Sequence, residues 1–223
     1  MPNLKNIAVL LLVLCFFVRA CQQKQRVDLA KLTFKEKASD IIDYKDEYLG
    51  GVSTVDAPMA FALQADRSSS FAFNEVKVDS ADITFFLRSD KIRKDTTLYR
   101  GGASIDQIRI KDASRLKQAL NKFQADSVIY GYRLALRQKE LQATILKQLI
   151  ALYGQGTKNP NTDHGTYWNL KNLHQFVFFD PGYEELLVID NSHLSKNCFW
   201  DLTTGTVDFG GCNIDEYKAN LLK

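Results

Sequence analysis

The feature that most constrains this chain is an uncharged apolar run from Ile7 to Val18, because such a run is a buried helix, a membrane span or a signal that is cut off. The run is twelve residues long, whereas a membrane-spanning helix needs about 20 apolar residues. Lys5 precedes the run and the small Ala20 follows it, which is the order of basic, apolar and small residues in a signal peptide. We therefore predict that residues 1–20 are a signal peptide and that the chain is exported.

The four residues Val18-Arg19-Ala20-Cys21 resemble the lipobox of bacterial lipoproteins, in which an apolar residue, a spacer and a small residue precede the acceptor cysteine. The resemblance implies a diacylglycerol thioether on Cys21 and an acylated amine, palmitate being typical. Such chains would hold the protein at a bacterial membrane, expected to be the outer membrane, with the domain on its periplasmic or surface face. Arg19 departs from the usual small or uncharged spacer. A plain secretory signal and a buried amino-terminal helix of a cytoplasmic protein are the alternatives.

Length and charge bound the rest of the chain. Removing residues 1–20 leaves 203 of 223 residues, enough for one substantial core. The formal net charge of +3 falls to about +1 when Lys5 and Arg19 leave with the leader. This balance gives no electrostatic footprint for nucleic acid. We predict a signal peptide, a lipidated tether of residues 21–26, and a single globular domain of residues 27–223.

Two cysteines of the predicted domain, Cys198 and Cys212, form an even pair in an oxidising compartment. They bracket CFWDLTTGTVDFGGC, where a turn signal separates strand-prone runs. A three-residue loop at Thr204–Thr206 would place the two cysteines opposite each other, and we predict a disulfide, worth about 3 kcal/mol for a loop of about 15 residues. Free thiols are the alternative. A metal site with His174 and His193 lacks close CxxC spacing, so neither a metal nor a cofactor is predicted.

The order of short strands and helices predicts an α+β fold, with antiparallel sheet packed on one or two main helices and carboxy-terminal hairpins. Strand patterns at 71–78 and 82–88 predict a hairpin that turns at Asp79-Ser80. Helices are predicted from the Asp112 cap to Phe123 and along an apolar stripe that ends at a left-handed Gly154. Gly50-Gly51 is predicted to be a turn. A short helix is predicted at 215–222.

The sequence after Ser127 predicts further strands. Residues 128–136 alternate between apolar and other side chains, which is typical of a strand. Residues 176–179 are apolar at every position and predict a strand buried on both faces. Asp180-Pro181-Gly182 predicts a turn, after which 186–189 return as a strand. This order loosely resembles small lipoprotein and immunity-protein domains of bacteria, without a motif that assigns functional residues.

Aromatic residues supply the candidate contacts with a partner. Tyr167, Trp168 and Trp200 lie in the carboxy-terminal third, and exposed Trp and Tyr are enriched at binding hot spots. Core packing is the alternative role for each of them. We predict a domain that binds another protein, as an immunity protein or an inhibitor does, rather than an enzyme.

Candidate catalytic residues are few. Asp163 and His164 lie in a polar loop, and His193 ends the string Asp190-Asn191-Ser192-His193. An imidazole can act as a general base near neutral pH, but neighbours on one strand point to opposite faces and cannot form a triad alone. No Gly-x-Ser-x-Gly elbow occurs. An envelope hydrolase with a His-based site, or a structural subunit of an envelope assembly, is therefore the alternative to protein binding.

Overall fold

A computed structural model describes residues 26–43, 47–53, 60–65, 70–91, 107–158 and 164–191, together with the backbone of two short strands at 198–199 and 207–208. Every statement about the fold refers to these ranges. Several predictions lie outside them: the signal peptide, the lipidated tether before Arg26, the helix at 215–222, and the candidate residues Cys21, Asp163, His193, Trp200 and Cys212.

The described elements alternate short strands with few helices. In chain order they are β1 (Val27–Asp28), a 3-10 helix (Leu29–Lys31), α1 (Ala38–Ile41), β2 (Tyr48–Ser53), β3 (Ala60–Ala65), β4 (Phe71–Phe73), β5 (Val76–Lys77), β6 (Asp82–Ser89), β7 (Gln107–Ile110), α2 (Ala113–Phe123), β8 (Ala125–Ala135), α3 (Lys139–Tyr153), β9 (Thr157–Lys158), β10 (Thr166–Leu170), a second 3-10 helix (Lys171–Leu173), β11 (Gln175–Asp180), β12 (Glu185–Asp190), β13 (Cys198–Phe199) and β14 (Val207–Asp208).

One large antiparallel sheet organises the domain. Its nine strands follow the order β7-β2-β3-β6-β8-β12-β11-β10-β9, and every neighbouring pair is antiparallel. A smaller sheet has the order β1-β4-β5, in which β1 runs parallel to β4. This architecture confirms the predicted α+β fold, with an antiparallel sheet packed with a few helices.

The strand β8 joins the two halves of the large sheet. It pairs with β6 on one side and with β12 on the other. Its length and strand character confirm the prediction from alternation over residues 128–136. Gly131 is required at its centre, because a Cβ there would lie 2.8 Å from Ile189 Cγ2 and 2.9 Å from the Val188 oxygen. The register of β8 is therefore fixed by close contact with β12.

The two longer helices pack by the faces that the sequence predicts, except that Leu152, the last residue of the predicted stripe in α3, is 42% exposed. In α2, Asp112 caps the first turn by accepting a hydrogen bond from the Arg115 amide at 2.8 Å. Leu116 and Phe123 are buried. The helix α3 ends before Gly154, whose φ of 77° is positive as predicted, but whose ψ of −167° is extended rather than left-handed helical.

The large sheet is apolar on both faces. One face packs against the helices and carries the main core, which includes Phe61, Phe85, Leu134 and Val188. Alternate residues on the same strands form a second buried cluster on the opposite face, made of Ala60, Phe86, Phe176, Phe178, Leu187 and Ile189. All six residues of β11 are buried, which confirms the prediction that this strand is covered on both sides.

The predicted hairpin between residues 71–78 and 82–88 is wrong. β4 pairs with β5 about a tight turn at Asn74-Glu75, and β6 leaves to pair with β3 and β8 in the large sheet. Asn74 and Glu75 have φ of 45° and 71°, and two successive positive φ values are typical of a type I′ hairpin turn. Glu75 stands where such a turn usually has glycine, so the sequence pattern did not indicate this turn.

The predicted turn at Gly50-Gly51 is also wrong, because both residues lie inside β2. A Cβ on Gly50 would lie 2.8 Å from Ile110 Cδ1 and 2.8 Å from Phe61 Cζ. Glycine here permits close packing of neighbouring side chains rather than a chain reversal.

None of the described helices is both long and apolar enough to cross a membrane.

Candidate functional site

Of the predicted partner-binding residues, Trp168 lies in the main core. It is 4% exposed, and its indole Nε1 donates a hydrogen bond to the Gly154 carbonyl at 2.9 Å. A buried tryptophan with a satisfied N–H is a packing residue. The predicted surface role of Trp168 therefore does not fit this structure, and the indole anchors the end of α3 to β10 instead.

Tyr167 points to the opposite face of β10. Its ring stacks on that of Phe176 with 5.8 Å between centroids and 29° between planes. It packs half-buried at the border of the second apolar cluster. Much of its surface is thus already used within the domain, and Trp200, the third predicted aromatic contact, lies outside the described residues.

The predicted carboxy-terminal hairpin is present as the pair β13–β14, but its register differs from the prediction. Cys198 lies opposite Asp208, and Phe199 lies opposite Val207. The predicted alignment of Cys198 with Cys212 is therefore wrong for this pair of strands. Cys212 lies outside the described residues, so the disulfide remains a prediction.

His164 lies at the surface beside the turn that joins β11 to β12. A Cβ on Gly182 would be 2.8 Å from the imidazole Cδ2 of His164 and 3.1 Å from Oδ1 of Asp180. The glycine thus lets an imidazole and a carboxylate approach the same point from two sides. Across the described ranges, no group of three or more His, Cys, Asp and Glu side chains is placed to hold a metal ion.

Asp180 holds the turn through hydrogen bonds to its backbone. The residue is fully buried, and its Oδ1 accepts hydrogen bonds from the Gly182 amide at 2.8 Å and the Tyr183 amide at 3.2 Å. This is an Asx turn, in which an aspartate replaces a backbone acceptor. The other oxygen, Oδ2, is buried and has no hydrogen-bond partner among the described residues. Buried carboxylate oxygens are normally paired, so this atom is exceptional.

The end of the turn at Glu184 is held by Leu136, the residue that follows β8. The Glu184 carbonyl accepts a hydrogen bond from the Leu136 amide at 2.5 Å. Glu184 has φ of 59°, a left-handed conformation that costs a non-glycine residue about 1 kcal/mol. Such strain persists only where the surrounding contacts determine the backbone, as they do here.

Tyr183 is the large side chain that this turn exposes to solvent. It is 56% exposed, although both its amide and the next carbonyl are held by the contacts above. We call Asp180 to Glu184 the Tyr183 turn. Sequence analysis found the Asp-Pro-Gly reversal but missed Tyr183, because nothing in the local pattern shows that it points outward while Trp168 points inward.

Charge around the Tyr183 turn is not balanced. Glu185, opposite Asp180 in the sheet, forms an ion pair with Arg133 at 3.2 Å. Asp180 receives only the neutral amides of the turn, and Glu184 has no ion-pair partner among the described residues. The turn therefore combines an exposed aromatic ring with two carboxyl groups that no cation neutralises within the described part of the domain.

No protein-family model, curated protein or solved structure matches this chain.

Proposed function

We propose that this chain is a membrane-anchored lipoprotein of the bacterial cell envelope whose domain binds another protein through the Tyr183 turn. An immunity or inhibitor role is the concrete form of this proposal. The observation that carries it is an exposed Tyr183 ring on a backbone fixed by buried Asp180. The lipobox-like sequence at 18–21 supports the anchor.

A fixed aromatic side chain suits protein recognition for two physical reasons. Tyrosine supplies a large amphipathic contact at low cost in side-chain entropy. A backbone that is ordered before binding also loses less conformational freedom when the complex forms. The Tyr183 turn thus replaces the predicted patch of Tyr167, Trp168 and Trp200 as the centre of the proposed surface.

The proposed tether limits how far the domain can lie from the membrane. The described part begins at Arg26, and residues 21–26 reach at most about 20 Å when fully extended. A lipid on Cys21 would therefore keep the domain close to its membrane. The partner would then be a protein of the same envelope compartment or one that reaches this membrane.

A photo-reactive amino acid at position 183 tests the binding proposal in the native cells. We expect one dominant protein cross-link from Tyr183 and none from the matched control position, Leu173. Leu173 is 53% exposed and lies beyond the opposite end of β11. Equal labelling from both positions, or background labelling only, would contradict the proposal. Tyr183→Ala should leave the free energy of unfolding within about 0.5 kcal/mol of the parent, because the side chain is largely exposed.

Mass spectrometry of the mature amino terminus tests the anchor. We expect a triacylated Cys21 and a protein that fractionates with membranes, and Cys21→Ser should abolish both. An unmodified cysteine with the protein wholly in the soluble fraction would reject this part of the proposal alone.

A second candidate, an envelope hydrolase, is favoured by the approach of His164 and Asp180 to Gly182. A carboxylate that orients an imidazole is one way to build a general base, and here the two groups are neighbours without a hydrogen bond between them, since Asp180 Oδ1 accepts only from the turn amides and Oδ2 has no partner among the described residues. Hydrolysis of ester, peptide or glycoside substrates that is lost in His164→Ala but retained in Tyr183→Ala would favour this candidate. Identical turnover in the parent and His164→Ala would remove it.

A further inference from the structure

We propose that the Tyr183 turn binds a cationic side chain, arginine or lysine, of the partner protein, which stacks on the Tyr183 ring and pairs with Glu184. This inference rests on the proposed function and adds the chemistry of the group that the surface recognises. It is argued from the charges, the burial and the exposed ring at the turn.

The arginines next to the turn are paired with carboxylates other than Glu184. Arg133 pairs with Glu185 at 3.2 Å, and Arg137 pairs with Asp82 at 2.5 Å. These two cations are therefore engaged with other carboxylates. Glu184 is exposed on the turn itself and pairs with no cation of the described residues, so it is available to a cation from outside.

Asp180 holds an unsatisfied acceptor beneath the turn. The residue is fully buried, and its Oδ1 accepts hydrogen bonds from two amides of the turn. Oδ2 has no donor among the described residues. Buried carboxyl oxygens are normally paired, so the turn keeps one acceptor that no described group satisfies.

The exposed Tyr183 ring favours a cation. A guanidinium or ammonium group is attracted to the face of a tyrosine ring, which strengthens binding about two- to fivefold at exposed sites. The same domain already places Lys91 and Lys122 within 5.4 and 5.1 Å of the Phe123 ring centroid. Tyr183 has no such cation among the described residues, and it stands next to a free carboxylate. Ring and carboxylate together favour a cation over an apolar or anionic group.

The test is an amide NMR titration of the full chain, purified in a non-ionic detergent, with N-acetyl-arginine amide. N-acetyl-citrulline amide is the matched neutral ligand. We expect the arginine derivative to shift the amides of residues 182–184 and the citrulline derivative to leave them in place. Glu184→Gln and Tyr183→Leu should each weaken binding about three- to fivefold. Glu75→Gln, in the other positive-φ turn, should not change it.

Equal shifts from both ligands, shifts elsewhere only, or no shift at all would overturn the inference. The photo-cross-link from position 183 separates this failure from that of the proposed function. A cross-linked partner whose capture does not respond to Glu184→Gln would leave protein binding in place and remove the cationic group. Absence of the cross-link would remove protein binding itself.

Discussion

The turn between β4 and β5 and the turn between β11 and β12 use the same device. Each contains a non-glycine residue at positive φ, Glu75 in the first and Glu184 in the second. Each is held by an aspartate that accepts backbone N–H groups, Asp28 in the first and Asp180 in the second. Local chemistry alone would assign both turns the same structural role.

The two turns differ in what remains unpaired. Both oxygens of Asp28 are engaged, Oδ1 by the amides of Ala30 and Asn74 and Oδ2 by Lys31 at 3.0 Å. Asn74 then donates from Nδ2 to Gln148 of α3 at 2.6 Å, which docks the small sheet on the helix. Asp180 has one oxygen without a hydrogen-bond partner among the described residues, and its turn exposes the Tyr183 ring to solvent. The polar groups of the first turn are thus bonded within the domain, whereas the second turn exposes groups that a partner could bind.

The largest effect that tests this comparison is expected from truncating the two aspartates. Asp28→Ala should lower the free energy of unfolding by about 2–3 kcal/mol, because the partly buried amides of Ala30 and Asn74 lose their acceptor. Asp180→Ala should lower it by about 1–2 kcal/mol, because Gly182 and Tyr183 are exposed and their amides can turn to water. Urea denaturation measures both. A larger loss for Asp180→Ala would reverse the assignment of the structural turn.

Replacing each aspartate with asparagine keeps the shape of the side chain and removes its charge, and it should change the free energy of unfolding by up to about 1 kcal/mol. Asp180→Asn keeps the oxygen that accepts from the turn amides and removes a buried charge that has no cation, so the free energy of unfolding should rise by up to about 1 kcal/mol. Asp28→Asn breaks the pair with Lys31 at 3.0 Å and should lower it slightly. The two variants should therefore differ in sign in urea denaturation at neutral pH. Matching losses would show that the Asp180 charge itself stabilises the fold.

Relief of backbone strain is a smaller effect and should be common to both turns. Glu75→Gly and Glu184→Gly should each raise the free energy of unfolding by about 0.5 kcal/mol, because glycine adopts positive φ without penalty but gains entropy when unfolded. Thermal unfolding measures the gain. Only Glu184→Gly should also weaken binding of the arginine derivative. Weaker binding in Glu75→Gly as well would mean that the turns are not functionally distinct.

The smallest expected effect concerns the phenols next to Asp28. Burial raises the pKa of Tyr153, and the negative charge of Asp28 raises it further. Burial likewise raises the pKa of Tyr132, with Tyr153 and Asp28 as added causes. Asp28→Asn should therefore lower the pKa of Tyr153 toward its ordinary value, while burial keeps it raised. Tyrosinate absorbance during an alkaline titration measures the change. An unchanged pKa of Tyr153 would show that the charge of Asp28 does not raise it.

Periodic patterns over long segments predicted the structure well. The alternation in β8 predicted a strand, the apolar stripe of α3 predicted a buried face that holds up to Leu149, and the uniformly apolar β11 predicted burial on both sides. Short segments were harder, because turn chemistry and tertiary contacts decide them. Gly50-Gly51 looks like a reversal in sequence, yet neighbouring strands make it the middle of β2.

The sequence by itself determined the α+β class, the position of the main helices and the Asp-Pro-Gly reversal at 180–182, because each depends on local propensity and periodic burial. Only the tertiary structure decided that Trp168 lies in the core and Tyr183 lies outside, that Asp180 is buried beneath its turn, and that Cys198 faces Asp208. Strand register and neighbouring strands set these outcomes. A shift of one residue exchanges the two faces of a strand, and no local pattern in a single strand specifies its partner.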